Sequence, residues 1–445
     1  MTMTQQPPAT AGNSIEVLYG RDRLALELPA DAEPVVLGKP VVDKITDPTT
    51  AVADALTAPV GCPPLAELAR GRSSACILIC DITRPVPNRL FLRPLVDTLT
   101  GAGMDLSQIT IVVATGLHRV GSRAELLELC ADEWIVDNVR IVWHDARDEE
   151  MLVDLGRTPD RGVETSGTEV WINKHFAEAD LRIATGLVEP HFMAGWSGGR
   201  KVVAPGVAGH RTIRTFHSAR FMEHPDARQC NLDGNPLHTE QLAIVAKVGE
   251  VYALNTVIDE DRDLNFVNFG EVVASHLAAV DFVADIAKVS TGRRFSTVVT
   301  SSAGYPLDKT YYQTVKGMVT PMGILEPGGT VIMVSECSEG FGSPEFREAS
   351  KRLVDLGTDG FLDSLLVKEF ADVDEWQTEM QLKPMRQGTV LLHTTGLAKD
   401  ELADTGVRAL ASTAEVTAAI AESIARSGDP AVAVIPEGPY LIPVP

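Results

Sequence analysis

With 445 residues, 44% hydrophobic and 22% charged, the chain has the composition of a globular enzyme and exceeds the usual size of one core, so two domains are expected. A formal net charge of −22 argues against nucleic acid as a partner, because neutralising phosphates needs a basic face, although local cations can still line a cleft for a small anion. Six scattered cysteines without metal-site spacing argue against a disulfide framework and for a reducing cytoplasm, and no apolar stretch approaches the length of a membrane span.

Residues 1–14, polar and rich in Thr, Gln and Pro, read as a disordered tail with no targeting pattern. From Ser74 onward, strand-like and helix-like segments alternate. The apolar run 75–80 predicts a strand covered on both faces, and 88–99 predicts a helix through Leu90, Leu92, Leu95, Val96 and Leu99, closed by Gly101 and Gly103. A strand at 109–114, a helix at 122–131 capped by Ser122, and a strand at 139–143 follow. The pattern restarts with a strand at 295–300, a helix at 311–325 and strands at 330–334 and 389–392. Such alternation predicts two α/β domains with mainly parallel sheets. The first is expected over 15–288 and the second over 289–424, with 425–445 returning its apolar run to the first domain's sheet.

Three polar clusters directly follow predicted strands: Asp81-Ile82-Thr83-Arg84-Pro85, Thr115-Gly116-Leu117-His118-Arg119, and His191 through Lys201. In open α/β sheets ligands bind at the carboxyl ends of strands, so three such loops would converge on one crevice. Each residue has a plainer reading alone: a turn at Asp81 and Thr83 with Arg84 solvated, backbone-bonded loop imidazoles at His118 and His191, a surface charge at Lys201. Convergence favours a site. Gly195-Trp196-Ser197-Gly198-Gly199 matches a nucleophile elbow in letters, but the strand ends near Glu189 and Pro190 intervenes, so a serine hydrolase is disfavoured. Gly198 and Gly199 are expected to expose N–H groups to a phosphate or planar cofactor. His217, a residue type suited to nickel or zinc, lacks a second His or Cys at ligand spacing, so other donors would come from a non-protein group.

These segments carry a resemblance. Asp81 to Pro87, Ala114 to Arg119, Glu189 to Lys201 with Pro205-Gly206, His217-Ser218, Gly304 to Asp308, Tyr312 to Met318, and Trp376 together resemble the nickel-pincer lactate racemase family, from about residue 40 to the end. The resemblance implies a nickel-bearing pyridinium-3,5-bisthiocarboxylic acid mononucleotide (the nickel-pincer nucleotide), covalently attached at Lys201, with His217 completing the nickel coordination. Asp81, Ile82, Thr83 and Arg84 would hold the cofactor, His118 and His191 would be the catalytic pair, and Arg84, Gln313, Lys316 and Trp376 would contact the substrate in an interdomain cleft. The implied activity is interconversion of D- and L-2-hydroxy acids, lactate foremost, by proton-coupled hydride transfer, with other proteins making the cofactor. Met193 and Trp196 stand where the family commonly has Phe or Tyr, which leaves room for a longer or more polar 2-hydroxy acid. A noncatalytic cofactor carrier would need Lys201 and His217 but not both histidine bases.

Overall fold

The run 75–80 forms the strand Ala75–Cys80, buried over nearly its whole length, as parallel strands are when helices cover both sheet faces. In the computed structural model, which describes residues 13–40, 42–160, 167–259 and 262–445, the chain divides into two units: residues 42–285, and the two segments 1–41 and 286–445 taken together. The expected tail lies outside the described residues except for Asn13 and Ser14, and Ser14 already opens the strand Ser14–Tyr19.

The unit 42–285 holds a six-stranded sheet in the spatial order Leu264–Glu271, Tyr252–Ile258, Leu181–Leu187, Ala75–Cys80, Ile109–Ala114, Arg140–Trp143. Every pairing is parallel except that between the first two strands. Helix Asn88–Gly101 buries Phe91, Leu95 and Leu99 in one cluster with Ile77, Ile79 and Ile111. Helix Arg123–Cys130 starts where Ser122 forms a reciprocal capping box with Glu125. From Ala75–Cys80 the chain first builds outward to one side, then returns to place Leu181–Leu187 on the other. The order therefore reverses between those two strands, and that reversal is where open α/β sheets bind ligands.

The other unit holds an all-parallel sheet ordered Arg408–Leu410, Thr389–His393, Leu325–Val334, Phe295–Ser301, Ala431–Ile435, Glu33–Val36. This corrects the expected domain limits. The terminal apolar run does not complete the first sheet; Ala431–Ile435 lies between Phe295–Ser301 and Glu33–Val36, fully buried. The amino-terminal segment belongs here too, because Val17 and Leu26 of its hairpin share a core with Val299, Ile332 and Ile420. Both chain ends thus serve one apolar core, and the division falls after residues 41 and 285. None of the six cysteines is in a disulfide. Among the described residues, no helix is long and apolar enough to cross a membrane.

One buried histidine makes the first unit acid-sensitive. His144 is fully buried, with Nε2–H donating to the Ala208 carbonyl (3.0 Å) and Nδ1 accepting from the Asn173 amide (3.2 Å). Burial pushes its pKa from 6.5 down to about 4. The unfolded chain therefore takes up this proton first, so the contribution is complete above the unfolded pKa and is lost as pH falls toward the folded one. We expect urea unfolding to show about 2 kcal/mol of lost stability between about pH 7.5 and about pH 5 from this group. His144→Gln should flatten that dependence by the same amount; an unchanged slope would contradict the assignment.

Candidate active site

Three loops leave the carboxyl ends of adjacent parallel strands. In the first, buried Asp81 accepts from the Thr83 hydroxyl (2.6 Å) and backbone N–H (3.3 Å) through Oδ1, while Oδ2 lies 2.6 Å from His118 Nδ1 in the second loop. Burial alone would raise the Asp81 pKa, but the bonds from His118 and Thr83 and the charge of Arg84 outweigh it and hold the carboxyl below its ordinary range. An ionised Asp81 fixes the hydrogen of His118 on Nδ1 and leaves Nε2 as an acceptor, the posture of a general base. The His118 side chain is 58% exposed and therefore reachable. The expected turn at Asp81 exists, yet Arg84 is more than solvated: Nη1 donates to Glu189 Oε1 at 2.6 Å, joining the first loop to the third. Ile82 is exposed beside them.

The third loop is a short hairpin in which Pro190–His191 pairs with Gly195–Trp196. The Ser197 hydroxyl donates to the Leu187 carbonyl (2.7 Å) and accepts from the Glu189 N–H (3.0 Å), so it braces the loop and is no nucleophile. His191 is buried, with its Nδ1 facing the N–H groups of Ala194 (3.2 Å) and Met193 (3.4 Å). The glycine expectation is corrected here. The Gly199 N–H is taken by Asn255 Oδ1 (2.9 Å), and a Cβ on Gly199 would lie 2.6 Å from that of Ala253. Both glycines let the loop pack closely against its own sheet, and the Gly199 amide is not offered to a ligand. Gly199→Ala should cost about 1–3 kcal/mol in chemical unfolding, and unchanged stability would refute this close packing.

Lys201 sits in the short helix Gly199–Val203. Its charge acts on the Cys80 thiol, which burial, Asp81, Arg84 and Glu189 also influence and which is pushed up to about 12. It acts as well on His217, just past the helix His210–Phe216. The Lys201 charge is thus felt both at Cys80, next to the Asp81 loop, and at His217. His217 is buried, Nδ1–H donates to the Ile213 carbonyl (2.8 Å), and burial pushes its pKa down to about 3. The ring is neutral and oriented, with Nε2 as its acceptor nitrogen, as a metal-ligating histidine requires.

Gln313, Lys316 and Trp376 belong to the other unit and are assembled within it. Gln313 and Lys316 lie three residues apart on helix Tyr311–Val319, whose Thr310 cap accepts from the Gln313 N–H. Trp376, buried, lies on helix Glu375–Gln387. Bonds from Gln377 Nε2 to the Tyr312 carbonyl (2.5 Å) and from the Tyr311 hydroxyl to Gln381 (2.8 Å) tie the two helices together. The Gln313 amide oxygen is buried with no partner among the described residues. Sequence reasoning left Glu189 without a role; a carboxylate directly after a strand, opposite the arginine of the adjacent loop, was the available signal.

Among the described residues, no group of three His, Cys, Asp or Glu could hold a metal. A single oriented histidine, a lysine amine and the buried Ser218 hydroxyl, which has no partner among the described residues, fit a metal group that brings most of its own donors.

Comparison with known proteins identifies the family. Residues 19–230 match the model of the lactate racemase N-terminal domain, and residues 291–442 match that of the lactate racemase C-terminal domain. A lactate racemase of Thermoanaerobacterium thermosaccharolyticum is 32% identical over 433 residues, covering 96% of this chain and 99% of its own. One of Lactiplantibacillus plantarum is 37% identical over 304 residues, covering 68% of this chain and 69% of its own. The solved lactate racemase apoprotein from T. thermosaccharolyticum superposes with a TM-score of 0.86 at 30% identity, over 97% of this chain and 99% of that one. A Thermotoga maritima protein at 16% identity and a TM-score of 0.67, covering 90% of this chain and 99% of its own, shares the fold alone.

Proposed function

The chain belongs to the lactate racemase family and is an isomerase, and from that premise we propose that it interconverts the D and L enantiomers of a short 2-hydroxy acid, lactate foremost. Removing the C2 hydrogen as a proton would build a dianionic centre beside the carboxylate; removing it as hydride leaves a flat 2-keto acid. When bound, the nickel-pincer nucleotide supplies the electrophilic acceptor this route requires. The Lys201 amine would tether it, His217 Nε2 would meet the nickel, and Asp81, Ile82, Thr83 and Arg84 would hold its remainder. Other proteins would make the cofactor.

The chain's own residues handle charge and protons. His118, with Asp81 stabilising the imidazolium, takes the hydroxyl proton as the C2–H bond breaks. Its partner His191 serves the oxygen when the keto acid presents its other face. Arg84 neutralises the carboxylate, and the family resemblance implies substrate contacts for Gln313, Lys316 and Trp376 of the other unit as well. The observation that carries this reading is the Asp81–His118 pair at the point where strand order reverses, with His191 and Lys201 on the neighbouring loop.

A panel of D- and L-2-hydroxy acids, incubated with nickel-loaded protein and resolved by chiral chromatography, tests it. Either lactate enantiomer should run to an equal mixture. Faster conversion of a longer or more polar acid would move the substrate assignment, and no conversion of any 2-hydroxy acid would leave a carrier in its place.

A further inference from the structure

Arg200 precedes the tether lysine and has no part in the scheme above. It is 1% exposed, and no carboxylate among the described residues pairs with it. Its Nε donates to His238 Nδ1 (2.8 Å), Nη1 to His276 Nε2 (2.7 Å), and Nη2 to the carbonyls of Ala194 (3.2 Å) and Trp196 (3.0 Å). Burial lowers the guanidinium pKa to about 9, so it stays charged near neutrality, while burial and the Arg200 charge keep His238, at about 4, and His276 neutral. His276 Nε2 lies within hydrogen-bond distance of both the Arg200 guanidinium (2.7 Å) and the Ser197 carbonyl (2.8 Å), and its Nδ1 is buried without a partner among the described residues. An uncompensated buried cation and an unsatisfied buried ring nitrogen are both costly, and folds retain such features where a site needs them.

The fork grips a functional turn. Ala194 and Trp196, whose carbonyls it holds, bound the hairpin turn whose Met193 and Ala194 N–H groups face His191 Nδ1. A neutral imidazole that accepts on Nδ1 carries its hydrogen on Nε2. His118 is the reverse, since its Nδ1–H is given to Asp81. We propose that Arg200 is a positioning residue that clamps the 193–196 turn and thereby holds His191 as the Nε2–H tautomer. The two imidazoles then begin unlike: His118 presents an acceptor and His191 a donor to the oxygen of the 2-hydroxy acid. The roles at the oxygen rest on the racemase reading; the tautomers do not.

The test uses the full chain with ¹⁵N-labelled histidine, free of cofactor, and long-range imidazole spectra. In the wild type, His191 should show a bare Nδ1 and protonated Nε2, and His118 the opposite pattern. In Arg200→Met, checked for folding by circular dichroism, His191 should shift toward a mixture of tautomers, and Arg200→Lys, which keeps the charge but loses the fork, should shift less. After loading, Arg200→Met should lower kcat by about 10–100-fold with KM changed far less. A wild-type His191 protonated on Nδ1, or a tautomer unmoved in folded Arg200→Met, overturns the proposal; should that variant not fold, an unmoved tautomer in Arg200→Lys does so. Because the spectra need neither cofactor nor turnover, an inactive loaded enzyme would remove the catalytic reading and leave the clamp standing.

Discussion

His118→Ala is expected to lower kcat/KM for both lactate enantiomers by about 10²–10⁴-fold, the range that one positioned acid–base group contributes. Both directions suffer together because racemisation has an equilibrium constant of one, so the proton taken in one direction is the proton returned in the other. Asp81→Asn sharpens the test. The carboxamide is nearly isosteric but uncharged; it no longer stabilises the imidazolium, and its NH₂ can select the other tautomer. A loss of about 10²-fold or more with the cofactor still bound would place the Asp81–His118 bond of 2.6 Å in the chemistry. Loss of the cofactor alone would instead confine Asp81 to holding it. Full activity in either variant, measured by chiral chromatography on loaded protein, would remove that residue from the scheme.

The second large effect belongs to Lys201 and His217. Lys201→Ala should abolish the cofactor's mass addition in intact-protein mass spectrometry and with it all racemisation, since the amine is the proposed attachment point. His217→Ala should keep the mass addition while nickel per chain, measured by elemental analysis, falls by about 10-fold or more. The contrast separates a tether from a ligand. A covalent adduct on Lys201→Ala, or full nickel retention in His217→Ala, would reverse the corresponding role.

Much of the site was legible in the chain because a buried parallel strand announces itself as an apolar run, and polar residues just after it stand at the sheet's carboxyl edge. Asp81, His118 and His191 could be grouped on that ground, and the structure joins the first two directly and sets the third on the neighbouring loop. What stayed hidden depends on contacts distant in sequence. Gly199 reads as an open phosphate cradle until Asn255, 56 residues away, proves to hold its N–H. Arg200 gives no signal of its own in the sequence, because its imidazole partners lie 38 and 76 residues away. The run 431–435 declares itself a buried strand, but apolar character does not say which sheet it enters, and a contiguous division of the chain assigned it to the wrong one.

The claim that C2 gives up hydride, not a proton, can be read from one isotope. L-lactate deuterated at C2 should be racemised by the loaded enzyme in ordinary water to D-lactate that keeps its deuterium. Protium from solvent appearing at C2 at the rate of racemisation would contradict the account.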